Sequence, residues 1–197
     1  MFDFFGKRMK YKLIIIGGSA GSFQVVTNIL AQLPKDFDIP IVLALHRLKH
    51  IRHGFVEALS LKSGLPVVEP LDKEQIKPGK VYLAPANYHL YVELAGTFAL
   101  STEEPVNHSR PAIDLTFLTG AYAYKNKTVG IILSGANKDG AFGLKKVKDW
   151  GGVTIVQNPS ESQVTTMPVS AIEKCKTVDH IFKTEEIINY LVSLTKI

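Results

Sequence analysis

Apolar, largely β-branched runs recur along this chain, and most are followed by a segment of helical periodicity. KLIIIG (12–17), IPIVLALH (39–46), LPVVEP (65–70), KVYLAP (80–85), TVGIILSG (128–135), GVTIVQN (152–158) and VDHIF (178–182) read as strands. SFQVVTNILAQLP (22–34) carries apolar residues at Phe23, Val26, Ile29, Leu30 and Leu33, a helical spacing. HGFVEALSLKSG, RPAIDLTFLTGAYAY, DGAFGLKKVKDWG, MPVSAIEKC and TEEIINYLVSL read as further helices, the last with a cap region at Thr184, Glu185 and Glu186. HLYVELAGTFALST alternates about Ala95-Gly96 and predicts one antiparallel β-hairpin. Repeated strand–helix units imply an α/β fold: a doubly wound, mainly parallel sheet with helices on both faces, a Rossmann-like three-layer sandwich. Strands apolar throughout fit a sheet covered on both sides.

The 197 residues suit one domain over 12–197, preceded by a short arm at 1–11. With 46% hydrophobic and 21% charged residues the chain can bury a sizeable core. The net charge of +5 permits acidic partners without demanding them. The single cysteine, Cys175, excludes an internal disulfide and fits a reducing compartment. No segment approaches the roughly 18 apolar residues of a membrane span, and MFDFFGKRMKYK does not read as a signal peptide. The expectation is a cytoplasmic protein without membrane insertion.

Strand one ends in GGSAGS (17–22). The dinucleotide fingerprint and the P-loop both fail here, whereas G-x-S-x-G matches as Gly17-Gly18-Ser19-Ala20-Gly21. Two readings compete: Ser19 is a nucleophile on a strand-to-helix turn, or it caps the helix that follows. A nucleophilic serine needs a base and a group to orient that base. Ligand sites in open α/β sheets lie beyond the carboxyl ends of the strands. His46 ends strand two, and Asp139 lies in the loop after TVGIILSG, so the same rim offers Ser, His and Asp. A satisfied strand-end histidine and an Asp139-Gly140 turn are the structural alternatives. His89, His108 and Arg110 fall in neighbouring loops; His89 could line the site or be structural, His108 is expected at the surface, and Arg110 could contact substrate or simply precede a helix.

The blocks IIGGSAGS, LALHRLKHIRHGFVEAL, VYLAPANYHLYV, SRPAIDLTF, GIILSGANKDGAFGLKKVKDWGGVTIVQN and MPVSAI resemble, in this order, the catalytic domain of CheB-type protein-glutamate methylesterases. The resemblance spans roughly residues 12–194. It implies hydrolysis of γ-methyl esters of glutamate on chemoreceptors, with glutamine deamidation in some members. It aligns the catalytic triad with Ser19, His46 and Asp139, and implies no metal or organic cofactor. By the same resemblance, the backbone N–H groups of Ala20 and Ala136 serve the oxyanion. Partners would be a methyl-accepting receptor with acidic helices and, functionally, a receptor methyltransferase. The chain departs from the family pattern at Ala20-Gly21-Ser22 (usually Thr-Gly-Gly), in HRL for HMP at His46, and at Ala136, Asn137 and Lys138, where methionine, glycine and asparagine are usual. Many members carry a receiver domain; with strand one near residue 12, the expectation is a stand-alone member or an excised catalytic domain without phosphorylation gating.

Arg47, Lys49 and Arg52 would flank the site and could steer an acidic helix toward it. Three other readings are weaker. Metal binding by His46, His50 and His53 conflicts with a strand-end His46. A nucleic-acid module lacks a recognised motif beyond KHIRH and LKKVK. A catalytically weak signalling partner does not need the intact Ser, His and Asp.

Overall fold

A computed structural model of the chain describes residues 11–47 and 54–196. The expected arm lies outside these residues except for Tyr11, which is buried in the core. In chain order the elements are β1 (Leu13–Gly18), α1 (Ser22–Gln32), β2 (Ile41–Leu45), α2 (Phe55–Ser60), β3 (Val67–Val68), β4 (Val81–Leu83), β5 (His89–Val92) and β6 (Phe98–Ser101). There follow α3 (Ile113–Tyr124), β7 (Thr128–Ile132), α4 (Ala141–Asp149), β8 (Val153–Gln157), α5 (Thr166–Cys175), β9 (His180–Phe182) and α6 (Thr184–Ser193).

Seven strands form one parallel sheet in the order β3-β4-β2-β1-β7-β8-β9. β5 and β6 form the separate antiparallel pair read from the sequence. Side chains alternate between faces along each strand, so β1 feeds two cores. Ile14 and Ile16 pack with Val26, Ile29 and Leu30 of α1 and Ile187 and Leu191 of α6. Leu13 and Ile15 pack on the other face with Phe117 of α3, Leu144 and Val147 of α4 and Ala171 of α5. Each such fully buried aliphatic side chain contributes about 1.5–3 kcal/mol over its exposed state. This two-sided burial is why the strands lack polar alternation, and the three layers are those expected.

β1 is central. The chain winds from it to β2 on one side, with β7 pairing on the other. Its carboxyl end is therefore a switch point, where flanking connections diverge and leave a crevice. Two glycines shape the rim. Gly21 has φ +81°, and a Cβ there would lie 2.6 Å from Gln163 Cβ and 2.8 Å from Ser134 Oγ. Gly140 has φ +89° and lies against Ile132 and Ile113. Both turn the chain from a strand end into a helix, in a conformation that side chains rarely adopt.

α1 and α6 start at Ser22 and Thr184, as the sequence reading has them, and the structure identifies their capping residues. The residue capping α1 is Gly21, with no side-chain cap, so Ser19 is not the helix cap. The α6 cap is Lys183, whose N–H donates to Glu186 Oε2 at 2.7 Å, one residue before Thr184. No helix among the described residues is long and apolar enough to cross a membrane.

Candidate active site

Ser19, His46 and Asp139 follow three adjacent parallel strands, β1, β2 and β7. The register pairs Gly18 with Leu45, so Ser19 and His46 are the next positions on neighbouring strands. The His46 N–H donates to Gly18 O at 3.0 Å, and the Ser19 N–H to Ser134 O at 2.9 Å. The serine backbone is thus tied to both flanking strand ends. Sequence and structure agree on bringing these three residues to one rim.

Asp139 is fully buried and heavily hydrogen-bonded. Its Oδ2 meets His46 Nε2 at 2.8 Å and accepts the Ile113 N–H at 2.7 Å. Its Oδ1 accepts from Asn107 Nδ2 at 3.0 Å, the Asp114 N–H at 3.1 Å and the Gly140 N–H at 3.1 Å. The carboxylate therefore caps α3 from a distant part of the chain. Helix N-termini leave N–H groups unpaired and favour negative charge, which suits this role. Burial pushes the Asp139 pKa up, but donation from His46, Asn107, Ile113 and Asp114 outweighs it and holds the carboxyl below its ordinary value.

An ionised carboxylate only accepts hydrogen bonds, so Nε2 of His46 is the donor in this contact, and in the neutral imidazole the lone pair is then on Nδ1. Asn137 Nδ2 lies 3.3 Å from that Nδ1. The Asn137 amide is oriented by its other end, because Oδ1 accepts the Asp139 N–H at 3.0 Å. Ser19 is partly exposed, and its hydroxyl has no hydrogen bond to any described residue.

Two backbone N–H groups face outward at the same rim. Ser19 O accepts from Ser22 N at 3.0 Å and Ser22 Oγ at 2.7 Å. In a trans peptide the N–H points opposite the carbonyl, so the Ala20 N–H is directed away from α1. Gly135 O accepts the Met167 N–H at 2.9 Å, which likewise directs the Ala136 N–H away from α5. Neither N–H has an acceptor among the described residues, and both alanines are exposed. Such N–H groups can receive developing negative charge.

Other expectations change on inspection. His89 does not open onto the site: it is fully buried, with Nδ1 accepting the Ala112 N–H at 3.2 Å and Nε2 bonded to Glu104 O at 3.1 Å. It braces the start of α3 beside Asp139. Arg110 commits Nη1 to Thr102 O at 2.6 Å and Glu103 O at 2.8 Å, holding the loop before α3, and it also lines a cleft with Glu69, Asn87 and Tyr88. Arg47 is not a solvated steering charge. Its side chain is 1% exposed, with Nη2 bound to Glu69 Oε1 and Ala84 O, each at 2.7 Å. Lys49, Arg52, His50 and His53 lie outside the described residues, and with them the rest of the steering and three-histidine readings. Among the described residues no cluster of three His, Cys, Asp or Glu side chains is arranged to hold a metal.

Sequence reasoning missed several supporting residues. Asn107 donates from one nitrogen to both Asp139 and Asp114 Oδ2, each at 3.0 Å. Asp114 Oδ1 accepts the Gly143 N–H at 2.7 Å; burial first, and then the neighbouring Asp139 charge, raise its pKa. Ser134 Oγ donates to Ala20 O at 2.7 Å and accepts the Val164 N–H at 2.9 Å, joining three loops. A polar residue just before a helix, as in VNHSRP, was the available signal for Asn107.

The CheB methylesterase family model matches residues 14–191. The chain belongs to the CheB methylesterase family. A Leptospira interrogans protein, provisionally named protein-glutamate methylesterase/protein-glutamine glutaminase, is 42% identical over 186 residues, covering 94% of this chain and 96% of that protein. A Thermotoga maritima protein named protein-glutamate methylesterase/protein-glutamine glutaminase is 38% identical over 170 residues; the match covers 83% of this chain and 48% of that longer protein. The crystal structure of the Thermotoga maritima CheB methylesterase catalytic domain superposes with a TM-score of 0.88 at 35% identity, covering 93% of this chain and 98% of that one. The doubly wound sheet with its separate hairpin is therefore the fold of the CheB catalytic domain.

Proposed function

We propose that this chain is a serine hydrolase that removes γ-methyl esters from glutamates of chemoreceptors, and deamidates receptor glutamines, in chemotaxis adaptation or a related signalling pathway. The supporting observation is the 2.8 Å bond from His46 Nε2 to Asp139, with Ser19 on the neighbouring strand end. The names of the relatives, protein-glutamate methylesterase/protein-glutamine glutaminase, support the reaction class, and the receptor as substrate is part of the proposal.

In this reading Nδ1 of His46 takes the Ser19 proton as Oγ attacks the ester carbonyl. The Ala20 and Ala136 N–H groups receive the oxyanion. The C–O bond to methoxide breaks, and the proton on Nδ1 passes to the leaving group as methanol. Water then attacks the glutamyl-serine ester with His46 again as base, releasing glutamate and restoring Ser19. A glutamine substrate follows the same path with ammonia leaving. Asp139 holds the imidazole in place and stabilises its charged form. A receptor methyltransferase would supply the ester, and the substrate segment would be an acidic helix.

The test is release of methanol from a methylated receptor fragment, and of ammonia from its glutamine form. Either product above the buffer rate supports the reading. Neither product, from a folded protein, contradicts it.

A further inference from the structure

Nδ1 of His46 is the nitrogen left to act as base once Asp139 holds Nε2, and in this structure it is already occupied. Asn137 Nδ2 faces it at 3.3 Å. The amide does not turn freely, because its oxygen accepts the Asp139 N–H at 3.0 Å. This short-range loop turn is one that asparagine forms readily. Exchanging the amide ends would set a carbonyl oxygen against a lone pair at His46 and a donor against a donor at Asp139. Meanwhile the Ser19 hydroxyl, the expected partner of Nδ1, has no hydrogen bond to any described residue.

We propose that Asn137 is a positioning residue that clamps His46 through Nδ1, so that Ser19 is activated only when bound substrate displaces the amide. This rests on the Ser19–His46–Asp139 reading above. Two physical consequences follow. The clamp selects the tautomer whose lone pair faces the rim, which is the form a general base requires. It also competes with Ser19 for that lone pair, so the resting nucleophile is less reactive than the residue set alone implies. Catalytic hydrogen bonds that form only on substrate binding are common in hydrolases. Here the competitor for that bond is a named side chain.

The test is the rate at which a fluorophosphonate probe labels Ser19 in the whole chain. In that step Oγ bonds to phosphorus, fluoride leaves, and the serine proton passes to Nδ1 of His46 and on to solvent. Asn137→Ala removes the clamp. Asn137→Ser removes it while keeping a short side-chain oxygen for the Asp139 N–H, which guards against a collapsed loop. Both variants should label about fivefold faster than wild type, the scale of one neutral hydrogen bond. A loop merely damaged by substitution would slow labelling, not speed it. Equal rates overturn the clamp and leave the proposed function standing. Slower labelling in both variants also overturns it, and makes the amide an aid to the nucleophile. Absence of Ser19 labelling in every protein overturns the clamp together with Ser19 as nucleophile.

Discussion

Of the helices that begin at the rim of this sheet, α3 beside the aspartate and α1 beside the serine have starts built in opposite ways. At α3 the first N–H groups are filled: Ala112 donates to His89, and Ile113 and Asp114 donate to Asp139. At α1 the cap is a glycine with no side-chain hydrogen bond, and the neighbouring Ala20 N–H has no acceptor among the described residues. The acid end of the site is thus part of the fold, held by buried bonds that cost stability if broken. The Ser19 end is left open, with backbone N–H groups aimed outward that the proposed ester substrate would satisfy. In the proposed mechanism, orientation of the base is completed in advance and charge stabilisation is held for the substrate.

Removing Asp139 is the strongest way to break this contrast. Asp139→Ala should lower the rate of ester hydrolysis by about 10⁴-fold, since His46 loses its orienting partner. The same variant should lose about 1–3 kcal/mol of stability, because buried donors at the start of α3 are left unpaired. Steady-state kinetics and denaturant midpoints check the two effects separately. Loss of activity without loss of stability would mean that Asp139 does not cap α3.

Asn107→Ala probes the bridge between Asp139 and Asp114. It removes one donor to a buried carboxylate, a loss of about tenfold in kcat at nearly constant KM. A KM effect alone would place Asn107 in substrate binding instead.

Acid titration sharpens the comparison with the smallest effect. The Asp139 carboxyl lies below its ordinary value in the folded state. Its contribution is therefore present above the unfolded carboxyl value of about 3.9 and is lost as pH falls through the lower folded value. Asp114 acts with the opposite sign. Its raised value stabilises the fold when protonated, and that contribution fades as pH rises through the folded value. Unfolding free energies from pH 5 down to 2 should fall less steeply in Asp139→Ala than in wild type. An equal slope would remove Asp139 as a source of acid lability.

Much of this arrangement was readable from local pattern. Apolar runs such as LIIIGG can only be strands buried on both faces, and the small residues after them mark where the chain turns over the rim. That logic placed Ser19, His46 and Asp139 together before any geometry was known. What it could not reach depends on contacts between distant loops. Asn107 meets Asp139 across 32 residues, and Arg47 turns inward to Glu69 across 22. Neither contact has a periodic signature. His89 was a rim candidate because it begins the hairpin beside the rim loops, yet both of its nitrogens find partners inside the protein. The capping of α3 by Asp139 was also hidden, since cap motifs are sought next to a helix and not in a loop 25 residues away. The start of α1 at Ser22 was legible, but the role of Ser19 was not: a serine at a strand end suits both cap and nucleophile, and only the positive φ of Gly21 decides the cap.

Methanol release from a methylated receptor fragment by wild type and Ser19→Ala, with the unfolding midpoint taken on the same samples, tests Ser19 as the nucleophile most directly. Release is expected from wild type and essentially none from Ser19→Ala, with equal midpoints, because the Ser19 hydroxyl holds no described residue in the fold. Release by Ser19→Ala at a rate near that of wild type would contradict Ser19 as the nucleophile.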